Sequence, residues 1–189
     1  GGAVSENDAV YRAFGIWKSD VSAALVADDV TLDDVRTAIE EVAPIRQEWI
    51  EGAAILNLDD EARTFVGLSE EGVLSGTSIA TGRFPRLDNE VAVGINFARS
   101  LQVGIGDEVV VTDPAGDEKT LIVSGTISSV LNGGNGALLT IDGLKWLTGN
   151  DAGSIDGTRQ YRLEDDADID AVLAHLEQRF GDDVNLEET

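Results

Sequence analysis

A strand–turn–helix pattern occurs near both ends of the chain, and it limits the possible folds more than any other sequence feature. In the first copy, residues 21–27 read as a buried strand that leads into an Asp-Asp turn, and Thr31 stands where a helix N-cap belongs. Behind this cap, apolar residues recur at helical spacing: Leu32, Val35, Ile39 and Val42. The first copy therefore predicts a strand followed by an amphipathic helix.

The second copy repeats the pattern near the other end. Residues 159–164 read as a strand, an Asp-Asp pair follows, and Asp168 occupies the cap position. The apolar stripe has the same spacing: Ile169, Val172, Leu176 and Phe180. The two segments align without gaps across turn and helix, which favours a structural repeat. Convergence is the alternative, since N-caps and apolar spacing also arise in unrelated helices.

Each copy is predicted to continue into a further strand, which makes it a β-α-β unit. Pro44 ends the first helix, and residues 52–58 read as the strand after it. Gly181 stands at the C-cap position of the last helix, and residues 184–186 begin a final strand. Two such units combined in one ferredoxin-like sheet place the first and last strands side by side, so the chain enters and leaves at the same edge.

The segment between the two units has a different character, with many glycines and short β-type runs. Four runs predict strands: residues 90–93, 108–112, 119–124 and 137–141. Residues 113–117 predict a hairpin turn between two of them, and residues 96–101 predict one short helix. The middle of the chain therefore reads as a β-rich insertion.

Together these patterns predict an α+β fold with two lobes. Residues 20–62 and 155–189 are expected to form the β-α-β lobe, residues 63–154 the inserted β-rich lobe, and residues 1–19 a lead-in. If so, Val26 and Leu163 belong to the same sheet.

The charge excludes several classes of function. Thirty-six acidic residues face thirteen basic ones, and the net charge is −23. Such a surface repels phosphate backbones and anionic lipid headgroups, so neither nucleic-acid binding nor attachment through a basic patch is expected. Two explanations of the acidity stay open: simple solubility, and adaptation to high salt, which screens the repulsion between carboxylates.

The residue types that carry most enzyme chemistry are missing or isolated. The chain has no cysteine, one histidine (His175), no phosphate-binding Gly-x-x-x-x-Gly-Lys-Ser/Thr loop and no Gly-x-Ser-x-Gly elbow. Residues 165–170 resemble a calcium loop, but the glycine and the terminal Glu of an EF-hand are absent, and Asp168 is better placed as an N-cap. Residues 132–136 read as a glycine-rich loop tip. We therefore expect no catalytic residues, no cofactor and no metal site.

Several short motifs in the middle segment occur in a fixed order. They are Gly82-Arg83, Asn89-Glu90-Val91, Gly94, Gly104 and Gly106-Asp107, followed by a strand that ends in Gly125. This order resembles the MacB-like periplasmic core domain of FtsX-type ABC transporter permeases. We expect the motif residues to be structural: the glycines where a positive φ or a helix C-cap is needed, and Asn89 and Glu90 where backbone groups need partners.

The resemblance implies a porter-like lobe, an inserted sabre-like lobe and a lead-in that follows a membrane helix. It also implies a non-catalytic extracytoplasmic domain that is anchored by transmembrane helices outside this sequence. The sequence itself contains neither the apolar run of ~20 residues that a membrane helix needs nor a methionine. The implied partners are a cytoplasmic ABC ATPase, a second permease copy and an unknown extracytoplasmic substrate or partner. The implied activities are export, lipoprotein release and action on an external partner. A surface-anchored binding or adhesion module is the alternative, and an enzyme comes third.

The charge generates a prediction about salt. Because thirteen cations cannot pair with thirty-six anions, repulsion should destabilise the compact state at low ionic strength. Raising NaCl shortens the Debye length from ~30 Å at 0.01 M to ~3 Å at 1 M. The melting temperature should therefore rise steadily over this range, and more than that of a near-neutral domain of equal size. A flat or falling melting temperature would contradict the screening argument.

Overall fold

The computed structural model describes residues 19–70, 79–128, 136–149 and 155–188, and this part of the chain divides into two compact units. The first unit contains residues 19–50 and 155–188, and the second contains residues 51–149.

The helices are α1 (Leu32–Glu40), α2 (Ile95–Leu101), α3 (Ile141–Thr148) and α4 (Ile169–Phe180). The strands are β1 (Val21–Leu25), β2 (Ile45–Trp49), β3 (Glu51–Leu58), β4 (Glu61–Leu68), β5 (Ile79–Gly82), β6 (Glu90–Gly94), β7 (Glu108–Thr112), β8 (Glu118–Ile127), β9 (Ala137–Thr140), β10 (Thr158–Leu163) and β11 (Val184–Glu188). The predicted α+β class is confirmed.

The first unit is a four-stranded sheet in the order β11-β1-β10-β2. All three strand pairings are antiparallel. This order arises when two β-α-β units interleave, because each unit contributes one inner and one outer strand. The first and last strands of the unit are therefore neighbours, and Val21 lies opposite Glu188.

The boundary of this unit differs from the sequence prediction. Residues 52–58 do form a strand, but β3 pairs with β4 in the second unit, so the expected boundary at residue 62 is wrong. Asp59 and Asp60 both have positive φ, which gives the tight two-residue turn that fixes β3 against β4. The strand that completes the first β-α-β unit is β2, which directly follows α1 and which the sequence prediction missed because its middle residues are polar.

Both helices of the first unit begin at the predicted caps. Thr31 Oγ1 accepts a hydrogen bond from Asp34 N at 3.1 Å, and Asp34 Oδ2 accepts one from Thr31 N at 3.0 Å. This reciprocal pair is a capping box. Asp168 Oδ1 accepts from Ala171 N at 3.1 Å at the start of α4. The carboxylate of Asp168 thus satisfies a free backbone donor.

The core of the first unit lies between its helices and its sheet. Its fully buried members come from α1, α4 and three strands: Val35, Ala38, Ile39, Val172, Leu176, Val21, Tyr161, Leu163 and Val184. Val42 was predicted to join this stripe, but it is 39% exposed because α1 ends at Glu40. Beyond that end, the Glu41 carboxylate accepts from Arg179 and lies 2.8 Å from His175 Nε2, so it links α1 to α4.

The second unit is a seven-stranded sheet in the order β5-β8-β6-β9-β4-β3-β7. Strand β7 also pairs with β8, and Asn57 on β3 pairs with Thr112 on β7, so six of the strands close into a ring. The hairpin turn predicted at residues 113–117 is confirmed, with Asp113 N donating to Asp117 O at 2.8 Å. The predicted helix at 96–101 is α2.

Helix α3 was not predicted, since residues 137–141 were read as a strand. Strand β9 ends at Thr140, whose hydroxyl accepts from Gly143 N at 2.9 Å and starts the helix. The helix packs closely on β4: a Cβ added at Gly67 would lie 2.7 Å from Leu144 Cβ. This packing covers β4 and β9, in which consecutive residues, 65–68 and 137–139, are buried.

Among the described residues, no helix has the length and apolar character needed to cross a membrane. Of the loop tip at residues 132–136, singled out from the sequence, residues 132–135 lie outside the described residues; Gly136 is described, and its carbonyl accepts from Gly94 N at 2.9 Å.

The Asp168 cap predicts a specific mutational effect. Asp168→Ala should lower the free energy of unfolding by about 1 kcal/mol in urea denaturation, because α4 loses its capping acceptor. Asp166→Ala removes the same charge from the exposed turn just before it and should cost less than ~0.5 kcal/mol. The cap assignment fails if the two variants are equally stable, or if calcium stabilises the wild type but not Asp168→Ala.

Candidate functional site

The motif residues of the middle segment all lie in the second unit, and most of them surround one short stretch of β8. We call this arrangement the β8 junction: residues 122–125 of β8 together with Gly82, Arg83, Asn89, Glu90, Gly106 and Asp107. The main-chain contacts are direct. Ile122 N donates to Asn89 O at 2.8 Å, Val123 N donates to Asp107 O at 2.9 Å, and Gly106 N donates to Val123 O at 2.8 Å.

Glu90 is the most heavily bonded side chain of the β8 junction. Its side chain is 9% exposed. Oε1 accepts from the guanidinium of Arg83, from Arg86 N and from Leu87 N, each at 2.9 Å. Oε2 accepts a second bond from Arg83, which makes that pair bidentate. One carboxylate therefore fixes the loop of residues 83–87 to the start of β6.

These bonds shift the titration of the carboxylate. The pKa of Glu90 is lowered to about 2, mainly by the hydrogen bond from Arg83 and further by the N–H groups of Arg86 and Leu87, while partial burial acts in the opposite direction. Glu90 is thus an anion across the physiological range. Because both of its oxygens are engaged by the protein, it is not placed to act as a general base.

Gly82 and Gly125 bring β5 and β8 unusually close together. The two residues are paired in register. Gly82 has φ +71, and a Cβ built on it would lie 2.3 Å from Ser124 O; a Cβ on Gly125 would lie 2.7 Å from Arg83 O. Ser124 Oγ donates to Arg83 O at 3.1 Å across this contact. Neither position has room for a side chain.

The turn before β7 closes the other side of the β8 junction. Asp107 Oδ2 accepts from Gly104 N at 2.8 Å, and Gly106 has φ +91, a conformation that glycine adopts without strain. Ile105, between them, reaches over the strand contact: its Cδ1 would lie 2.8 Å from a Cβ on Gly82. The turn and the Gly82 strand therefore pack on each other.

Two motif glycines do not have the expected conformation. Gly94 is the N-cap of α2 with φ −63, and Gly104 is not in the positive-φ region. The left-handed residue that ends α2 is Gln102, with φ 56. Asn89 contributes its backbone carbonyl to the β8 junction. That the set as a whole is a family motif stays a prediction.

The sequence analysis missed a buried arginine. Arg63 on β4 has an 8% exposed side chain, and its guanidinium lies 4.6 Å from the centre of the Phe97 ring on α2. It donates to Glu61 at 3.1 Å and to Ser100 Oγ at 3.3 Å. A cation–π contact of this kind ties α2 to the sheet. An arginine in an alternating strand reads as a surface residue, so no sequence signal marked it.

The β8 junction has the composition of a structural centre. Its charged groups are paired with each other or with the main chain, and no cluster of three metal-ligating side chains occurs in the described ranges. What the geometry provides is rigidity: one carboxylate, one close strand contact and one turn fix three segments around β8.

Comparison with known proteins gives the fold. No family model and no curated protein sequence matches the chain. Among solved structures, the extracellular domain of the noncanonic ABC-type transporter YknZ from Gram-positive bacteria superposes with a TM-score of 0.57 at 13% identity, covering 90% of this chain and 100% of that one. The chain has the fold of this extracellular transporter domain.

A second solved structure has the same fold. A domain of a protein assigned as a permease from Porphyromonas gingivalis superposes with a TM-score of 0.51 at 14% identity, covering 93% of this chain and 88% of that one. At such identities the likeness concerns the fold. The resemblance inferred from the motifs is therefore confirmed as a likeness of fold.

The bonding of Glu90 predicts how stability depends on pH. Since its folded-state pKa of about 2 lies below the ordinary value of 4.5, the ionised carboxylate stabilises the fold above about pH 4.5. That contribution is lost as the pH falls from there through about 2. Glu90→Gln should therefore lower the free energy of unfolding at pH 7 by about 2 kcal/mol. The variant should also lose less stability than the wild type as the pH falls from about 4.5 to about 2.

The control is Glu108→Gln, which removes an exposed carboxylate from β7 in the same sheet and should change stability by less than ~0.5 kcal/mol. Urea titrations of both variants between pH 2 and 7 make the comparison. Equal effects of the two substitutions would show that Glu90 does not have the stabilising role assigned to it.

Proposed function

We propose that the chain is the extracytoplasmic domain of an ABC transporter permease of the FtsX/MacB type. In this function the domain performs no chemistry of its own. It relays motion, driven by ATP hydrolysis on a separate cytoplasmic subunit, to a substrate or partner outside the membrane. The fold carries the proposal, because the two solved structures described above are domains of permease or transporter proteins.

The two units would correspond to the two lobes of such a domain. The first unit, residues 19–50 and 155–188, would be the porter-like lobe, and the second unit would be the inserted sabre-like lobe. The antiparallel four-stranded sheet with two helices supports the first assignment, and the closed β-rich sheet between its two halves supports the second.

The path of the chain is compatible with anchoring in a membrane. Val21 and Glu188 are paired across β1 and β11, and paired residues of antiparallel strands have Cα atoms roughly 5 Å apart. The chain thus enters and leaves the first unit at neighbouring points. This suits a domain inserted between two consecutive membrane helices. It suits an insertion into a soluble protein equally, and the structural likeness to permeases favours the membrane.

The β8 junction supports a mechanical function in preference to a chemical one. A domain that transmits motion has to move as a body, and the Glu90 carboxylate, the Gly82–Gly125 contact and the Asp107 turn all restrict internal motion of the second unit. The proposed partners are a cytoplasmic ABC ATPase, a second copy of the permease, and a substrate or protein outside the membrane.

The proposal is tested in the full-length parent protein. We expect four membrane spans, with this domain after the first, and a neighbouring ATPase gene. Because the chain contains no cysteine, a single Asp142→Cys substitution, at an exposed position of the otherwise largely buried helix α3, gives a labelling site within it. The site should react with a membrane-impermeant maleimide in intact cells, and spin labels on two copies should change their separation when ATP is added.

A parent gene with one C-terminal anchor and no ATPase would contradict the proposal and favour a surface-anchored binding module. Labelling of Asp142→Cys only after the cells are opened would contradict the extracytoplasmic location. Label separations that do not respond to ATP in an active permease–ATPase complex would contradict the coupling.

A further inference from the structure

One edge of the first sheet is regular and open. Strand β11 pairs with β1 over five consecutive residues without a bulge, from Leu25↔Val184 to Val21↔Glu188, and its sequence contains no proline. In the described part of the chain, no strand pairs with its outer side. Proteins commonly interrupt such edges with bulges, prolines or coverings, because an uninterrupted edge pairs with other chains.

The opposite edge of the same sheet is built differently. Strand β2 pairs with β10 through an irregular register, which shifts between Arg162 and Leu163. A shift of this kind distorts the edge and discourages further pairing. The regular edge of β11 is therefore a particular feature of that strand.

A groove of about 310 Å³ lies beside β11. It is lined by Leu173 and Glu177 of α4, by Gly181, and by Val184 and Leu186 of β11. Leu173 and Leu186 are half-buried, so their outer parts offer apolar contact. A Cβ placed on Gly181 would meet no atom within 4 Å, which leaves the end of the groove open.

The charges around the groove have one sign. Glu177 is exposed on its wall, and Asp182 and Asp183 are exposed in the turn just before β11. The basic residues of α4 face away: His175 and Arg179 lie against Glu41 beyond the end of α1. Among the described residues that line the groove, none is basic.

We infer that β11 and this groove bind an extended, basic and apolar segment of a partner polypeptide, which adds a strand to the sheet. The backbone of the segment pairs with the outer edge of β11, its apolar side chains contact Leu173 and Leu186, and its cations approach Glu177, Asp182 and Asp183. Successive side chains of a strand point to opposite faces, so every second side chain of the segment enters the groove, and the long cationic side chains between them reach around the open edge towards the acidic rim.

Charge selects this occupant over a second copy of the chain. Pairing two β11 edges would bring together two molecules of net charge −23, each with the same acidic rim. A basic segment meets attraction where a second copy meets repulsion. The inference concerns the surface of this chain and holds whether or not the chain functions in a transporter.

The test uses the 189-residue chain and a blocked synthetic peptide, Lys-Val-Lys-Ile-Lys-Val-Lys. In an NMR titration, the amide signals of residues 184–188 and of the α4 face around Leu173 should shift together. Glu177→Lys should weaken binding at least ~5-fold. Glu118→Lys makes the same charge change at an exposed site in the second unit and should leave the affinity within ~2-fold. Backbone N-methylation of alternate peptide residues should weaken binding ~10-fold or more, because the edge of the peptide that faces β11 then loses its N–H donors.

Three results would overturn the inference. Equal weakening by Glu177→Lys and Glu118→Lys, with shifts spread over the surface, would mean that the peptide is attracted to the net charge alone. Equal binding of the N-methylated peptide would exclude strand addition. Concentration-dependent self-association that protects the amides of β11 would make a second copy the occupant. Circular dichroism of both variants checks that the fold is retained.

Discussion

The close approach of β5 to β8 is the contact around which the second unit is organised. At Gly82 and Gly125 the two main chains are too near for any side chain, and Ser124 bridges them. The loop that leaves Gly82 is then fixed by the Glu90 carboxylate at the start of β6. Strand β6 pairs with both β8 and β9, so this local geometry extends into the middle of the sheet.

Two arginines of this acidic chain pair with carboxylates that are largely withdrawn from water. Arg83 forms a bidentate pair with Glu90 in the second unit, and Arg36 forms one with Glu48 in the first. A partly buried carboxylate is costly without such a partner. Most of the remaining acidic residues lie on the surface, where their repulsion depends on salt. The excess of acid therefore lies mainly on the surface of the described parts of both units.

The sequence predicted best where local chemistry decides the structure. Thr31 and Asp168 mark helix starts because short polar side chains satisfy free N–H groups there, and the apolar stripes behind them gave the correct faces. It predicted worst where a partner distant in the chain decides. Strand β2 is polar and is a strand because β10 lies beside it. The boundary at β3 was a different kind of error, because the local Asp59-Asp60 turn holds β3 against β4 in the second unit.

The candidate site shows the same division. Glu90 and Gly82 stood out as motif residues, but their shared function around β8 depends on contacts between segments far apart in sequence. Arg63 gave no signal, because only the fold brings Phe97 over it.

The claim that the motif is a structural centre is tested most directly by comparing two alanine substitutions at glycines with positive φ. Gly82→Ala places a Cβ against Ser124 O, whereas Gly116→Ala, in the hairpin turn with φ +89, meets nothing within 4 Å. Both carry the strain of a left-handed residue, about 1–2 kcal/mol, so their difference isolates the close contact. In urea denaturation Gly82→Ala should cost at least ~2 kcal/mol more than Gly116→Ala. Equal losses would contradict the account, since the β5–β8 contact would then be free to relax.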